Sequence, residues 1–528
     1  MKLLKIISCF SLLLSYTNGV NVRVDPLVLT NQGLIRGQRA SDGDYTAFLG
    51  IPYAQVDSSN PFGDSFPYPK FEEIYNAYNY TAECPQRGYN GDIIGDLECL
   101  SLNIFVPTKA SYQNPLPILF WIHGGGFEGG SGVFNGVTNL VKHDVIVVSI
   151  NYRLGPYGFM CLGTSKVPGN QGLKDQHTAL QWVKDNIAAF GGNVNSITIA
   201  GQSAGAGSVD LHLHSSYEKL FHRAIMQSGS AKVEGMFVNG DFSAAINIAN
   251  LLGFTTANTD DAISFLSTAP VRLVIAAASE LNYWFRPCKE EKFDNIASFV
   301  EQDSQNLYNQ QRIRNIPVLI GFTENEEYIR NIEQYVSTGD VFLSKLQKHF
   351  AIEDNDDLAH ISKIVRHFYI GDEEMSIDSQ LQLSDFESDF TFNHPIDRAI
   401  VKYLEQGAKV YQYVFAYSND GSIASHGAEL QYLSPKQLTN EKDSLVAERL
   451  STMWTNFVKQ GIPIPEPTVL LPVTWEQARS KDKRPYLHID QDLTLKYRVY
   501  SQRMAFWNLF YDQYGAYNVL NTERMEEN

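Results

Sequence analysis

Ile197-Thr198-Ile199-Ala200-Gly201-Gln202-Ser203-Ala204-Gly205 joins an apolar, β-branched run directly to a serine set between two glycines. A strand that turns sharply into a helix presents such a serine at its tip. A side chain on either glycine would collide with backbone in so tight a turn. A lone G-x-S-x-G arises often by chance, but here a strand pattern precedes it and residues 206–213 suit the helix that must follow. The start of that helix would bring partial positive charge near the serine oxygen. The stretch therefore predicts a strand–turn–helix unit with Ser203 as nucleophile.

Outward from this unit, further buried-strand patterns occur at 118–122, 145–150, 317–320 and 410–416. Between the second of these and the serine strand, Leu180, Val183 and Ile187 fall at helical spacing, with Gly191-Gly192 as the stop signal. Strands alternating with helices predict an α/β fold, a large and mostly parallel sheet flanked by helices on both faces. No internal repeat, low-complexity tract or long linker marks a boundary, so a single domain with helical excursions is expected. Residues 351–389 carry Asp354, Asp356, Asp357, Glu373 and Glu374, which reads as the solvated surface of one such excursion.

His123-Gly124-Gly125-Gly126-Phe127 closes the strand at 118–122. Consecutive glycines there expose backbone N–H groups to a developing oxyanion, so Gly125 and Gly126 are expected as donors, with Ala204 N–H as the third. His123 is expected to support the loop. The acid and base must follow the serine in that order. The strand at 317–320 runs into a loop holding Glu324, Glu326 and Glu327, and the strand at 410–416 into one holding His426. Both loops leave the carboxyl ends of strands, the edge where Ser203 stands. His212, His214 and His222 precede any acid and read as helix-surface or packing residues.

With 528 residues, 44% of them hydrophobic, the chain has material for a large core, and its formal net charge of -17 opposes binding to nucleic acid or anionic membranes. Lys2 and Lys5 begin a short apolar run through Leu12, Leu13 and Leu14, followed by Thr17 and Gly19, as in a cleaved signal peptide over 1–19. The expectation is a secreted, extracellular protein whose mature domain is 20–528, with no membrane span. Export makes Cys84 and Cys99, separated by Gly88, Gly91 and Gly95, plausible partners in a disulfide. Cys161 and Cys288 are expected as buried free thiols in preference to a second pair. Asn79-Tyr80-Thr81 is a glycosylation sequon.

Taken together, these motifs resemble the type-B carboxylesterases, a family that includes cholinesterases and insect carboxylesterases, over nearly all of the mature chain. The resemblance rests also on Phe48-Leu49-Gly50-Ile51-Pro52-Tyr53-Ala54, Cys99-Leu100-Ser101-Leu102-Asn103 and Asn151-Tyr152-Arg153-Leu154-Gly155. It continues through Gly172-Leu173-Lys174-Asp175-Gln176, Gln227-Ser228-Gly229-Ser230, His426-Gly427-Ala428-Glu429-Leu430 and Trp454-Thr455-Asn456-Phe457. It implies the α/β-hydrolase fold, hydrolysis of small-molecule carboxylic esters through an acyl-enzyme, and no cofactor or metal. It selects Glu326 as the acid, which with Ser203 and His426 completes a triad. It further implies the Cys84–Cys99 disulfide, an ion pair between Arg153 and Asp175, and a place for Ser228 close to the triad.

The chain departs from the family pattern where Pro61 and Leu97 replace the partners of a usual salt bridge, and where Glu327 and Ile423 replace glycines. No Trp stands between Cys84 and Cys99, which opposes a choline-binding aromatic cage. A non-catalytic, cholinesterase-like binding protein would typically have lost a triad residue and gained a membrane span. Gln202, where Glu is commoner, resembles juvenile hormone esterases; odorant or pheromone esters and dietary or xenobiotic esters fit equally.

Overall fold

The computed structural model describes residues 26–88, 90–134, 137–303, 306–309, 312–433, 438 and 440–519. The expected signal segment 1–19 lies outside them.

A twisted sheet of 11 strands runs through the described residues. In chain order its strands are β1 (Gln38–Arg39), β2 (Tyr45–Pro52), β3 (Ser101–Pro107), β4 (Leu116–Ile122), β5 (Ile146–Ile150), β6 (Gly192–Gln202), β7 (Arg223–Gln227), β8 (Pro317–Thr323), β9 (Lys409–Phe415), β10 (Pro485–Ile489) and β11 (Leu493–Tyr497). The spatial order is β11-β10-β9-β8-β7-β6-β4-β5-β3-β2-β1. From β5 through β10 every neighbouring pair is parallel, while the outer pairs are antiparallel. The α/β-hydrolase architecture read from the sequence is the one observed.

Strand β4 shows why the sheet needs cover on both faces. Ile118, Phe120 and Ile122 enter one apolar core, and Leu119 and Trp121 enter the other. Because side chains alternate along a strand, an unbroken apolar run is stable only between two helical layers. Helices α1 (Gln171–Asn186) and α2 (Ala204–His214) supply Leu173, Leu180, Val209 and Leu211 to the first core. A third core lies away from the sheet, built by α3 (Asn355–Ile370), α4 (Gln380–Ser388) and the C-terminal helix Ser501–Tyr514 around Phe386, Phe390 and Trp507. This is the acidic helical excursion expected near 351–389: α3 buries Leu358, Ile361 and Val365 and turns Asp356 and Asp357 to solvent. The second core is covered by Glu441–Gln460, whose Val446, Leu450, Trp454 and Phe457 face the sheet. Full burial of each such side chain stabilises by roughly 1.5–3 kcal/mol.

Two local readings change. Helix α1 ends at Asn186, and a 3-10 turn over Ile187–Phe190 carries the chain to Gly191, whose φ of 81° closes it. Cys161 and Cys288 are bonded, with Cα atoms 6.7 Å apart, so the expectation of free thiols is corrected. The pairing was hidden because the two lie 127 residues apart and meet only through the fold. The expected Cys84–Cys99 bond is present.

Candidate active site

The sheet places the site at its carboxyl edge. From β5 the chain crosses back over β4 to form β6, so the loops after β4 and β6 adjoin at a reversal of strand order, where ligand crevices open in such sheets. Their ends are level, with Ile122 paired to Gly201, Gln202 to Gln227, and Gln227 to Gly321.

Ser203 stands at the tip with φ 57° and ψ -124°, a backbone state that a non-glycine residue holds only under strain. Its N–H donates to Gln227 O at 2.8 Å, which ties the turn to β7. A Cβ on Gly201 would lie 2.4 Å from the Gly205 carbonyl carbon, and one on Gly205 2.2 Å from Ile122 O. These distances explain both glycines. The glycine loop packs on the elbow: a Cβ on Gly124 would meet Gln202 O at 2.6 Å and the Ser203 Cβ at 3.0 Å. Gly125 and Gly126 have φ of 106° and 60°, and the Gly125 carbonyl accepts from Glu128 and Gly129 N–H. Among the described residues the Gly125 and Gly126 N–H groups donate to no protein acceptor. The N–H of Ala204, the first residue of α2, is one of those a helix leaves without an internal partner. His123 stacks on Tyr152 with centroids 4.4 Å apart, and burial lowers its pKa to about 4, so it is a neutral support for this loop.

Glu326 is buried and its carboxylate is fully engaged. One oxygen accepts from Ser228 Oγ at 2.6 Å and from Thr323 N–H at 2.7 Å; the other lies 2.5 Å from His426 Nδ1. Burial alone would depress the His426 pKa, but the Glu326 charge and hydrogen bond, with Glu429 and Glu327 behind them, raise it overall. The side chain of His426 remains 31% exposed, and its ring also packs against that of Phe392. The structure thus brings Ser203, Glu326, His426 and Ser228 to one edge of the sheet. Glu324 instead gives only its backbone to this edge, its N–H donating to Phe415 O at 2.8 Å. His212 and His214 are buried packing residues on α2, and His212 hydrogen-bonds Gln176.

Arg153 and Asp175 form a bidentate pair, with Nε–Oδ2 at 2.7 Å and Nη2–Oδ1 at 2.8 Å, both side chains fully buried. Arg153 Nη1 also donates to the Pro61 and Gly63 carbonyls. The segment where the usual salt-bridge partner is missing is therefore held through its backbone, and Phe62 stacks on Tyr157. Asn79, the sequon residue, is exposed.

Four contacts were not foreseen. Gln202 Nε2 lies 3.1 Å from His426 Nε2. Gln227 donates to Glu429 Oε1 at 3.0 Å and accepts from the Trp454 indole at 2.9 Å, linking three of the quoted motifs. Burial pushes the Glu429 carboxyl up to about 7. Glu128 and Arg286 pair beside the glycine loop, where burial likewise raises Glu128 to about 7. A charged residue inside an apolar motif was the available signal for Glu429; for Gln202 it was the unusual elbow residue itself. Among the described residues no group of three or more His, Cys, Asp or Glu is arranged to hold a metal ion.

A parallel sheet carrying a serine elbow beside a glycine loop, with an acid after β8 and a histidine after β9, defines an α/β-hydrolase. Residues 24–507 match the family model described as the carboxylesterase family, and the chain belongs to it. The chain is 32% identical to esterase FE4 of Myzus persicae, over 92% of this chain and 93% of that one. It is 29% identical to venom carboxylesterase-6 of Apis mellifera (91% and 94% covered) and 29% identical to the bile salt-activated lipase of Mus musculus (88% and 83%). The protein is a carboxylic ester hydrolase.

Proposed function

We propose that this ester hydrolase works by two-step acyl transfer, with Ser203 as nucleophile, His426 as general base and Glu326 as its orienting acid. His426 Nε2 takes the Ser203 proton as Oγ attacks the ester carbonyl. The oxyanion is held by the N–H groups of Gly125, Gly126 and Ala204, each such donor contributing roughly 3 kcal/mol. The imidazolium then protonates the departing alcohol, and water repeats the sequence on the acyl-enzyme. Ser228 steadies Glu326. The observation that carries this reading is the Glu326 carboxylate, buried and fully hydrogen-bonded, with one oxygen 2.5 Å from His426 Nδ1 beside the elbow.

The same reading has residues 1–19 removed on export and 20–528 as the mature extracellular domain, with a glycan on Asn79. Two disulfides, the exposed sequon and the absence, among the described residues, of a helix long and apolar enough to cross a membrane support it.

The test uses the full chain expressed with its own leader in a eukaryotic secretory host. Protein recovered from the medium is assayed on nitrophenyl and naphthyl esters of rising acyl length, beside Ser203→Ala. Turnover is expected from the wild type and a loss of at least a thousandfold from the variant. A folded wild type that hydrolyses none of these esters and resists serine-directed labelling would return the non-catalytic binding protein to the front.

A further inference from the structure

Gln202 is buried, and its side chain spans two loops. Its Oε1 lies 3.0 Å from the position a Cβ on Gly124 would take, and its Nε2 3.5 Å from that on Gly427. The same Nε2 is 3.1 Å from His426 Nε2. Hydrogen-bond logic fixes which group donates. Glu326 holds His426 Nδ1 at 2.5 Å with the one carboxylate oxygen that Ser228 and Thr323 leave free, so in the neutral imidazole Nδ1 carries the proton. Nε2 then presents a lone pair, and its hydrogen-bond partner among the described residues is the amide N–H₂ of Gln202. That lone pair is the one the Ser203 proton must reach. Ser203 Oγ itself makes no hydrogen bond among the described residues.

The groups facing His426 divide by sign. Glu326 and Glu327 from the loop after β8, and Glu429 from the histidine's own loop, all favour a protonated ring. Phe392, with ring centroids 4.8 Å away, brings no charge. Gln202 is the polar side chain that favours the neutral ring, because its amide donates to the atom the proton would occupy.

We propose, resting on the triad reading above, that Gln202 is a positioning residue that latches His426 in the resting enzyme. Its amide occupies the proton-accepting lone pair, and Ser203 is activated when the bound substrate displaces that amide. Gln202 and Ser203 are adjacent on the elbow, so release needs only rotation of the Gln202 side chain. The latch opposes protonation of the base by the three carboxyls and keeps the serine weakly reactive until the site is filled.

The experiment measures sulfonylation of Ser203 by phenylmethylsulfonyl fluoride, in which the Oγ–S bond forms, fluoride leaves and His426 takes the serine proton. Rates are followed by intact mass across pH for the wild type, Gln202→Met and Gln202→Glu, with thermal melts to verify folding. Met has nearly the same shape but no donor, so its rate on the high-pH plateau is expected to rise about three- to tenfold. Both variants should move the acid limb to higher pH, Glu further than Met, because a carboxylate favours the imidazolium. Should Met destabilise the fold, Gln202→Asn, one methylene too short to reach the ring, must show the same plateau increase. A folded variant with an unchanged or slower plateau and an unmoved acid limb overturns the latch. If the wild type is not labelled at Ser203 at all, the triad reading itself fails, which is a separate result from labelled variants that merely match the wild type.

Discussion

At the scale of the residue, His426 sits where two effects of opposite sign meet. Burial disfavours its charged form, while the Glu326 carboxylate favours it, and the pKa ends above the ordinary value of 6.5. A general base, the role proposed for His426, works only when neutral, so a raised pKa keeps the ring protonated, and idle, to a higher pH. Activity is therefore expected to fall as pH drops through a value above 6.5, seen as the acid limb of kcat/KM on a neutral ester. A limb below 6.5 would mean that burial outweighs Glu326. Of the proposed triad, Ser203 and His426 were legible in local patterns: a serine between glycines at a strand end, and a histidine in the loop after a later strand. The Gln202 contact was not, because it joins residues 224 apart and depends on how one loop lies over another. Glu326 itself was chosen over Glu324 and Glu327 by resemblance; composition around it is the same for all three. In the structure the difference is plain: Glu326 is 2% exposed and accepts from Ser228 and Thr323, while Glu327 meets Ser388 through its backbone N–H.

At the scale of the element, the decisive unit is β6 with α2. The strand reads well because β-branched residues fill it, and the sheet extends it through Gln202, two residues beyond the apolar run. By contrast β7, Arg223-Ala224-Ile225-Met226-Gln227, went unread. It is short and carries only one β-branched residue, and its state is set by pairing with β6 and β8 rather than by its own preference. The unit also makes a sharp prediction. A methyl on Gly205 would stand 2.2 Å from the Ile122 carbonyl oxygen, which belongs to β4 and cannot move without breaking the sheet. Gly205→Ala should therefore destabilise by about 3 kcal/mol, the upper end for overpacking, and should lower kcat as well by displacing Ser203. Thermal melting alongside ester turnover checks it. A variant that melts and turns over like the wild type would show that α2 can slide off β4, contrary to the packing described.

At the scale of the whole molecule, the two disulfides close loops of very different size. Cys84 and Cys99 are 15 residues apart, whereas Cys161 and Cys288 are separated by 127 and enclose α1, β6, α2 and β7. A cross-link acts mainly by restricting the unfolded chain, and the restriction grows slowly with loop length, giving about 3 kcal/mol for the short loop and about 5 kcal/mol for the long one. The folded ends of the long loop do not depend on the bond. Asn170 holds the Cys288 backbone at both its N–H and its carbonyl, at 2.9 and 2.7 Å. Asn170 Nδ2 also donates to the buried Glu290, which pairs with Lys174. Removing the bond should accordingly leave the site intact and the fold less stable. The double variant Cys161→Ser/Cys288→Ser is expected to keep its kcat/KM at 25 °C, while its melting temperature falls further than that of Cys84→Ser/Cys99→Ser. Calorimetry with parallel ester assays distinguishes the possibilities. If activity is lost at temperatures where the variant is still folded, the bond positions the elbow directly. If instead the short loop proves the costlier to open, strain or residual structure in the unfolded chain outweighs loop entropy, and the span of the bond is not what stabilises this protein.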